Sequence, residues 1–168
     1  MKKAFPVAEN ALSLRHEFLY FTGLRTRVSQ VLSRRFLIGN ARTLKETVSG
    51  TSILEKQSRF QACGTPFLSG NDQSITVKSL SRQFKMKKAS HLSWAIRLTD
   101  GTELKNDGGE SGSGNCILEA MRSMNAVDCL ILVARWYGGK HLGGLRFRIY
   151  RNSTKKLLTE FSSIMKTE

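Results

Sequence analysis

Apolar and polar residues alternate from Ser58 to Cys63, with Phe60 and Ala62 on one side and Arg59 and Gln61 on the other. A period of two predicts a half-buried strand, because successive side chains in a strand point to opposite faces. Leu92, Trp94, Ile96 and Leu98 alternate in the same way with Ser93, Ala95 and Arg97. Asp100-Gly101 follows directly, and both positions tolerate positive φ, so a tight hairpin returning through Thr102 to Lys105 is expected. Cys129 to Ala134 is nearly all apolar, as a central strand would be.

Between these segments the spacing becomes helical. Pro66 and Ser69-Gly70-Asn71 break the chain, and Asp72 or Asn71 can cap a helix running to about Lys88. Val77, Leu80 and Phe84 make its apolar stripe, while Lys78, Arg82, Lys85 and Lys88 form a basic outer ridge. A loop from Asn106 to Gly114 leads into a short helix with Ile117, Ala120, Met121 and Met124 inward. After Gly138-Gly139 and Gly143-Gly144 a last helix is expected, with Ile149, Tyr150, Leu157, Leu158, Phe161, Ile164 and Met165 facing the core. The order strand, helix, strand, strand, helix, strand, helix predicts an α+β two-layer sandwich. Its sheet would be mixed or antiparallel, of about four strands, with helices on one face.

The crisp pattern begins only after Ser49-Gly50-Thr51, which suggests an extension over residues 1–51 and a domain over 52–168. No acid lies between Glu17 and Glu46, whereas Arg25, Arg27, Arg34, Arg35, Arg42 and Lys45 do. Leu24, Val28, Val31 and Leu32 share one helical face there. Three readings compete for this segment: an Arg-rich mitochondrial presequence, against which Glu9 and Glu17 count, an extra helix packed on the domain, and a flexible basic arm.

Composition adds a sign of charge. Among 168 residues, 27 Lys and Arg face 13 Asp and Glu, a formal net charge of +14, and such a field attracts polyanions. No apolar run approaches the roughly 20 residues needed to cross a bilayer, so no membrane partner is expected. Cys63, Cys116 and Cys129 form no CxxC pair and are odd in number, which argues against a disulfide framework or a zinc site and for a reducing compartment. No metal or cofactor is expected.

Two loops carry the candidate chemistry. Ala134 to Phe147 places Gly138, Gly139, Gly143 and Gly144 after a buried strand and before a helix, where amide groups and the helix dipole can favour an anion. Arg135, Lys140, Arg146 and His141 would supply cations. The bland alternative is that the glycines only permit a cramped turn and the arginines are solvated. Asn106 to Gly114 offers Asp107 and Glu110 on a pliable loop, which suits a cation or polar partner, or simply a turn with capping residues. His91, entering a strand beside Ser90, either contacts a ligand or is a hydrogen-bonded structural residue.

Together these stretches resemble the IMPACT family, in its Impact N-terminal domain. Its members carry a Ser-Arg-Phe strand, an Ala-Ser/Thr-His strand entry, an Asp-Asp-Gly-Glu loop, and an Arg-Trp/Tyr-Tyr/Phe-Gly-Gly segment ending in Leu-Gly. Here the matches are Lys56 to Phe60, Ala89-Ser90-His91, Asp107 to Glu110 with Gly114, and Arg135 to Gly139 with Leu142-Gly143 and Arg146-Phe147. Their wording resembles the eukaryotic branch. Gly108 stands where the family usually has a second Asp, and the residues before the domain are too few for the separate RWD-type domain of the eukaryotic relatives.

The resemblance implies a sheet-and-helix fold similar to domains of ribosomal proteins and elongation factors, and a place in translational control. Relatives restrain the starvation-responsive initiation-factor kinase by competing for its ribosome-bound activator. The expectation is therefore a non-catalytic, cytoplasmic binding protein of the stress response, its partners the ribosome, RNA or a ribosome-associated protein. A mitochondrial location would follow from the presequence reading. Its contacts would use Arg135, Gly138, Gly139, Lys140, Gly143, Arg146 and His91, beside the acidic loop of Asp107 and Glu110. The alternative is an enzyme acting on a phosphorylated ligand between the two loops, although no nucleophile and base pair is evident in the sequence.

Overall fold

A computed structural model describes residues 41–164. The expected helical face at Leu24 to Leu32, the readings of residues before 41, and Met165 lie outside them. In chain order the elements are β1 (Arg42–Leu44), β2 (Val48–Ser49), β3 (Ile53–Glu55), β4 (Ser58–Pro66), α1 (Gln73–Gln83), β5 (His91–Arg97), β6 (Glu103–Asn106), α2 (Ser113–Ser123), β7 (Cys129–Trp136), α3 (Leu145–Phe161) and β8 (Ser162–Ile164).

Six strands form the main sheet in the order β2-β4-β7-β5-β6, with β3 also paired to β4, and every ladder in it is antiparallel. The two additional strands, β2 and β3, are too short for an alternating pattern to be read in sequence. The hairpin forms as expected: Gly101 takes φ +91, its amide bonds to Leu98 O at 3.1 Å, and β6 runs back along Trp94 to Arg97.

Both faces of the sheet are covered, which corrects the expectation of helices on one face. On one side Phe60, Ala62, Ala95, Ile131 and Val133 pack against Ile117 and Met121 of α2 and Tyr150, Leu157 and Leu158 of α3. On the other, Cys63, Ile96, Leu130, Leu132 and Ala134 meet Leu80 of α1, Met86, and the half-buried Val77 and Phe84. The cause lies in β7, whose residues from Cys129 to Arg135 are all buried. A strand apolar on both pleats exposes greasy surface unless each face receives a layer.

Three boundaries also move. The packed domain starts earlier than residue 52, because Leu44 and Val48 are buried in the α2–α3 core and β2 extends the sheet edge. α1 stops at Gln83 rather than near Lys88: Lys85 adopts φ +55, and the amide of Met86 bonds to Ser81 O at 2.8 Å as its side chain turns into the core. α3 ends at Phe161, which is 41% exposed rather than inward, and Ile164 lies in β8, paired with Arg42 of β1. Among the described residues no helix is long and apolar enough to cross a membrane.

All three cysteines are buried and free. Burial pushes the thiols of Cys63 and Cys129 up to about 12. Iodoacetamide in mildly alkaline buffer is therefore expected to leave both unmodified in the native protein and to alkylate them after denaturation, as peptide mass spectrometry would read. Unfolded, these thiols ionise near 9, whereas folded they keep their protons to about 12. Stability is thus full below pH 9 and falls as the pH rises through that window.

Candidate functional site

The sheet register makes the site's floor. Arg135 at the end of β7 stands between Phe60 of β4 and His91 of β5, its two Cα partners across the ladders. Tyr150 of α3 packs edge-on against Phe60, ring centroids 5.5 Å apart. Above them lies the loop after β6, which carries Glu110, and the chain after β7, which leads into α3 and brings Arg146.

Glu110 is the hub. Its side chain is 6% exposed; Oε1 pairs with the Arg135 guanidinium and with Arg146 Nε at 3.2 Å, and Oε2 accepts the Tyr150 hydroxyl at 2.7 Å. Burial, with the carboxylate beside it, holds the Tyr150 phenol proton well above its usual range, so Tyr150 is a donor here at any ordinary pH. Arg135 is as buried as Glu110, and its Nε has no hydrogen-bond partner among the described residues. Arg146 stays 31% exposed, and its NH1 also donates to Gly143 O. Glu110 thus acts as internal counter-ion for two guanidinium groups, in place of the expected ligand for a cation or partner.

Asp107 is a cap. Its Oδ1 accepts the amide of Gly114 at 2.8 Å and Oδ2 that of Gly112 at 3.0 Å, at the start of α2. Its carbonyl accepts Ser93 Oγ at 2.8 Å and Ser113 Oγ at 2.9 Å, tying the loop to β5. The amides of Gly112 and Gly114 are taken by Asp107, and Leu145 and Phe147 donate to Leu142 O and Gly144 O at 3.1 and 3.2 Å. The guanidinium groups of Arg135 and Arg146 supply positive charge at the site. Among the described residues no three His, Cys, Asp or Glu side chains are gathered to hold a metal ion.

A cleft of about 490 Å³ opens over this cluster, lined by His91, Glu110, Arg135, Gly143 and Arg146. Sequence reading had singled out these five. It also placed Gly138, Gly139, Lys140 and Asp107 at the site, and none of these lines the cleft. Lys140 points to solvent. Gly138 lies beneath the site, its amide bonding to Ser58 Oγ at 3.2 Å. Gly108 takes φ +55, and a Cβ there would sit 2.1 Å from Leu92 O, so this loop path admits no Asp. His91 lines the cleft, and its Nδ1 meets Gly108 O at 3.3 Å.

Sequence reading missed Tyr137, which lines the cleft, and the polar role of Tyr150. Tyr137 sits 5.8 Å from His141 by ring centroids and beneath the Arg135 guanidinium at 5.5 Å. For Tyr150 a signal existed: a tyrosine on an inward helical face needs a partner for its hydroxyl.

The sequence pattern described as the Impact N-terminal domain matches residues 56–158. A Dictyostelium discoideum IMPACT homolog is 34% identical over 119 residues, 68% of this chain and 34% of that protein. A Caenorhabditis elegans IMPACT homolog is 32% identical, over 66% of this chain and 46% of that one. The chain spans less than half the length of these curated relatives. A crystal structure of a hypothetical protein superposes with a TM-score of 0.65 at 18% identity, over 76% of this chain and 65% of that one, and shares the fold. The two-domain translational regulator Yih1 aligns with a TM-score of 0.45 at 25% identity, over 70% of this chain and 48% of that one.

Proposed function

Because the chain belongs to the Impact N-terminal domain family, we propose that it is a non-catalytic binding protein in the regulation of translation. Its cleft holds an anionic group of the ribosome, of RNA or of a ribosome-associated protein. The translational setting is what the family implies, and the partner is inferred from the charge of the site.

The observation that carries this reading is the imbalance at Glu110. One carboxylate faces two guanidinium groups, and the one left over belongs to Arg146, the more exposed of the pair. In a recess with low-dielectric walls such a charge is felt more strongly than on an open surface. His91, Tyr137 and His141 at the rim add hydrogen-bonding groups for an anion. The case against catalysis is that both carboxylates are engaged: Asp107 by amides, and Glu110 by two arginines and a tyrosine. A carboxylate serving as general base must be free to take a proton. Competition for the activator of the starvation-responsive kinase is the finer form of the proposal.

Ribosome co-sedimentation across a salt series tests it. The Arg146→Ala protein is expected to sediment less with ribosomes, and its plot of log affinity against log salt should be shallower by about one unit. Sedimentation equal to the parent protein at every salt concentration would overturn the cleft as the contact.

A further inference from the structure

We infer that the opposite face of the sheet, which carries α1, is a docking surface for single-stranded RNA. This goes beyond the cleft, which lies on the α2–α3 side.

Charge is segregated between the two faces. Glu103 pairs with Arg97 and Arg122, Glu119 with Arg151, and Glu160 with Lys156, so most cations of α2 and α3 have a nearby acid. The α1 side is different. From Gln73 to Thr99 the sequence contains no Asp or Glu. Lys78, Arg82, Lys85, Lys87 and Lys88 in this stretch are all exposed, and none of them forms an ion pair among the described residues. Lys78 and Arg82 stand one helical turn apart on one side of α1, about 6 Å along its axis. A row of unpaired cations repels itself, and a polyanion laid along it relieves that repulsion.

A second feature shares this face. Arg59 and Trp136 are directly opposite in the β4–β7 ladder, and the Arg59 guanidinium lies 3.6 Å over the Trp136 ring. Trp136 packs with the α1-side core while remaining partly exposed, and Arg59 is exposed. The lysine-bearing turn is tied to the same end of the sheet: Ser90 donates its amide to Arg135 O at 2.8 Å, and its hydroxyl accepts the amide of Tyr137 at 3.0 Å. Lys87 and Lys88 precede this tie by three and two residues.

A flat guanidinium held on an indole is a platform on which a base can stack, and the lysines beside it take phosphates. An anionic lipid surface would use the lysines and leave the stack idle. A duplex would keep its bases from the platform. The chain's own segment between Glu17 and Glu46 is acid-free and offers no charge complementary to this face.

Fluorescence anisotropy of the full chain with labelled oligoadenylate tests the inference, with an RNA duplex and phosphatidylserine vesicles as comparators. Oligoadenylate is expected to bind more tightly than either. Reversing three exposed charges together, Lys78→Glu, Arg82→Glu and Lys88→Glu, should weaken it at least about tenfold and make the salt dependence shallower by about 2 units. Arg59→Ala, which removes the platform and few phosphate contacts, should weaken it about tenfold with little change in slope. Lys155→Ala, which removes an exposed cation of α3 away from both the cleft and this face, should leave it within about twofold, so a general loss of positive charge is told apart from loss of this face. Unchanged binding by the triple variant, or duplex or vesicle binding as tight as oligoadenylate, overturns the inference.

Discussion

Replacing Glu110 by Ala is expected to destabilise the domain by about 3–5 kcal/mol, the usual consequence of leaving a buried charge without its partner. The charge left behind is Arg135, whose side chain is 6% exposed and whose Nε already lacks an acceptor. Tyr150 loses its acceptor at the same time. Urea denaturation would show a lower midpoint at an unchanged slope. Adding Arg135→Met to Glu110→Ala should recover part of the loss, since removing both members of a buried pair is far less damaging than removing one. A midpoint for Glu110→Ala equal to the parent's would mean that Arg135 finds solvent and the cluster is not a buried network. The milder Glu110→Gln separates structure from catalysis: a phosphohydrolase activity of the parent that is lost in a folded Glu110→Gln protein would favour the enzymatic alternative.

Gly138→Ala is expected to be the next most damaging change. A Cβ at this position would lie 2.1 Å from the carbonyl carbon and oxygen of Gln57 and 2.6 Å from the amide of Ser58. These are backbone atoms of the tight β3–β4 turn, where Lys56 and Gln57 already have φ of +43 and +66, so neither side can give way cheaply. One methyl group there should cost about 1–3 kcal/mol through forced backbone shifts. Arg135 and Tyr137 lie just upstream on the chain, so anion binding at the cleft should weaken along with stability. Gly139→Ala is the control for space alone, because nothing lies within 4 Å of its added Cβ and only its φ of +83 opposes the change. Equal stability of Gly138→Ala and the parent in a thermal melt would refute the close approach.

The glycines of the Arg135 to Gly144 segment thus divide by role in a way the sequence could not show. The sequence offers them either as an amide-bearing anion loop or as a cramped turn. In the structure Gly138 is needed for backbone proximity, Gly143 lines the cleft at φ +51, and Gly139 turns the chain without touching it. The acidic loop reads as carboxylates for a cation or partner or as a turn with capping residues; in the structure Asp107 caps α2 and Glu110, three residues on, is buried under α3. Two neighbouring residues on a loop point in different directions, and no periodicity records which.

What the sequence alone determined is everything encoded within a few residues. Alternation at Ser58 to Cys63 and Leu92 to Leu98, the Asp-Gly turn, and the apolar run at Cys129 to Ala134 specify strands and a hairpin, because a pleated backbone sorts neighbouring side chains onto two faces. The order of elements then leaves an α+β domain, and the four motifs lead to its family. What the tertiary structure decided is every pairing across distance: Glu110 with Arg135, 25 residues apart, with Tyr150, 40 residues apart, and with Arg146. It also decided that α1 crosses to the far face, where Lys78 and Arg82 form no ion pair among the described residues. The physical reason is that a charge's partner is chosen by strand register and by which loops close over it. Local spacing fixes neither of these.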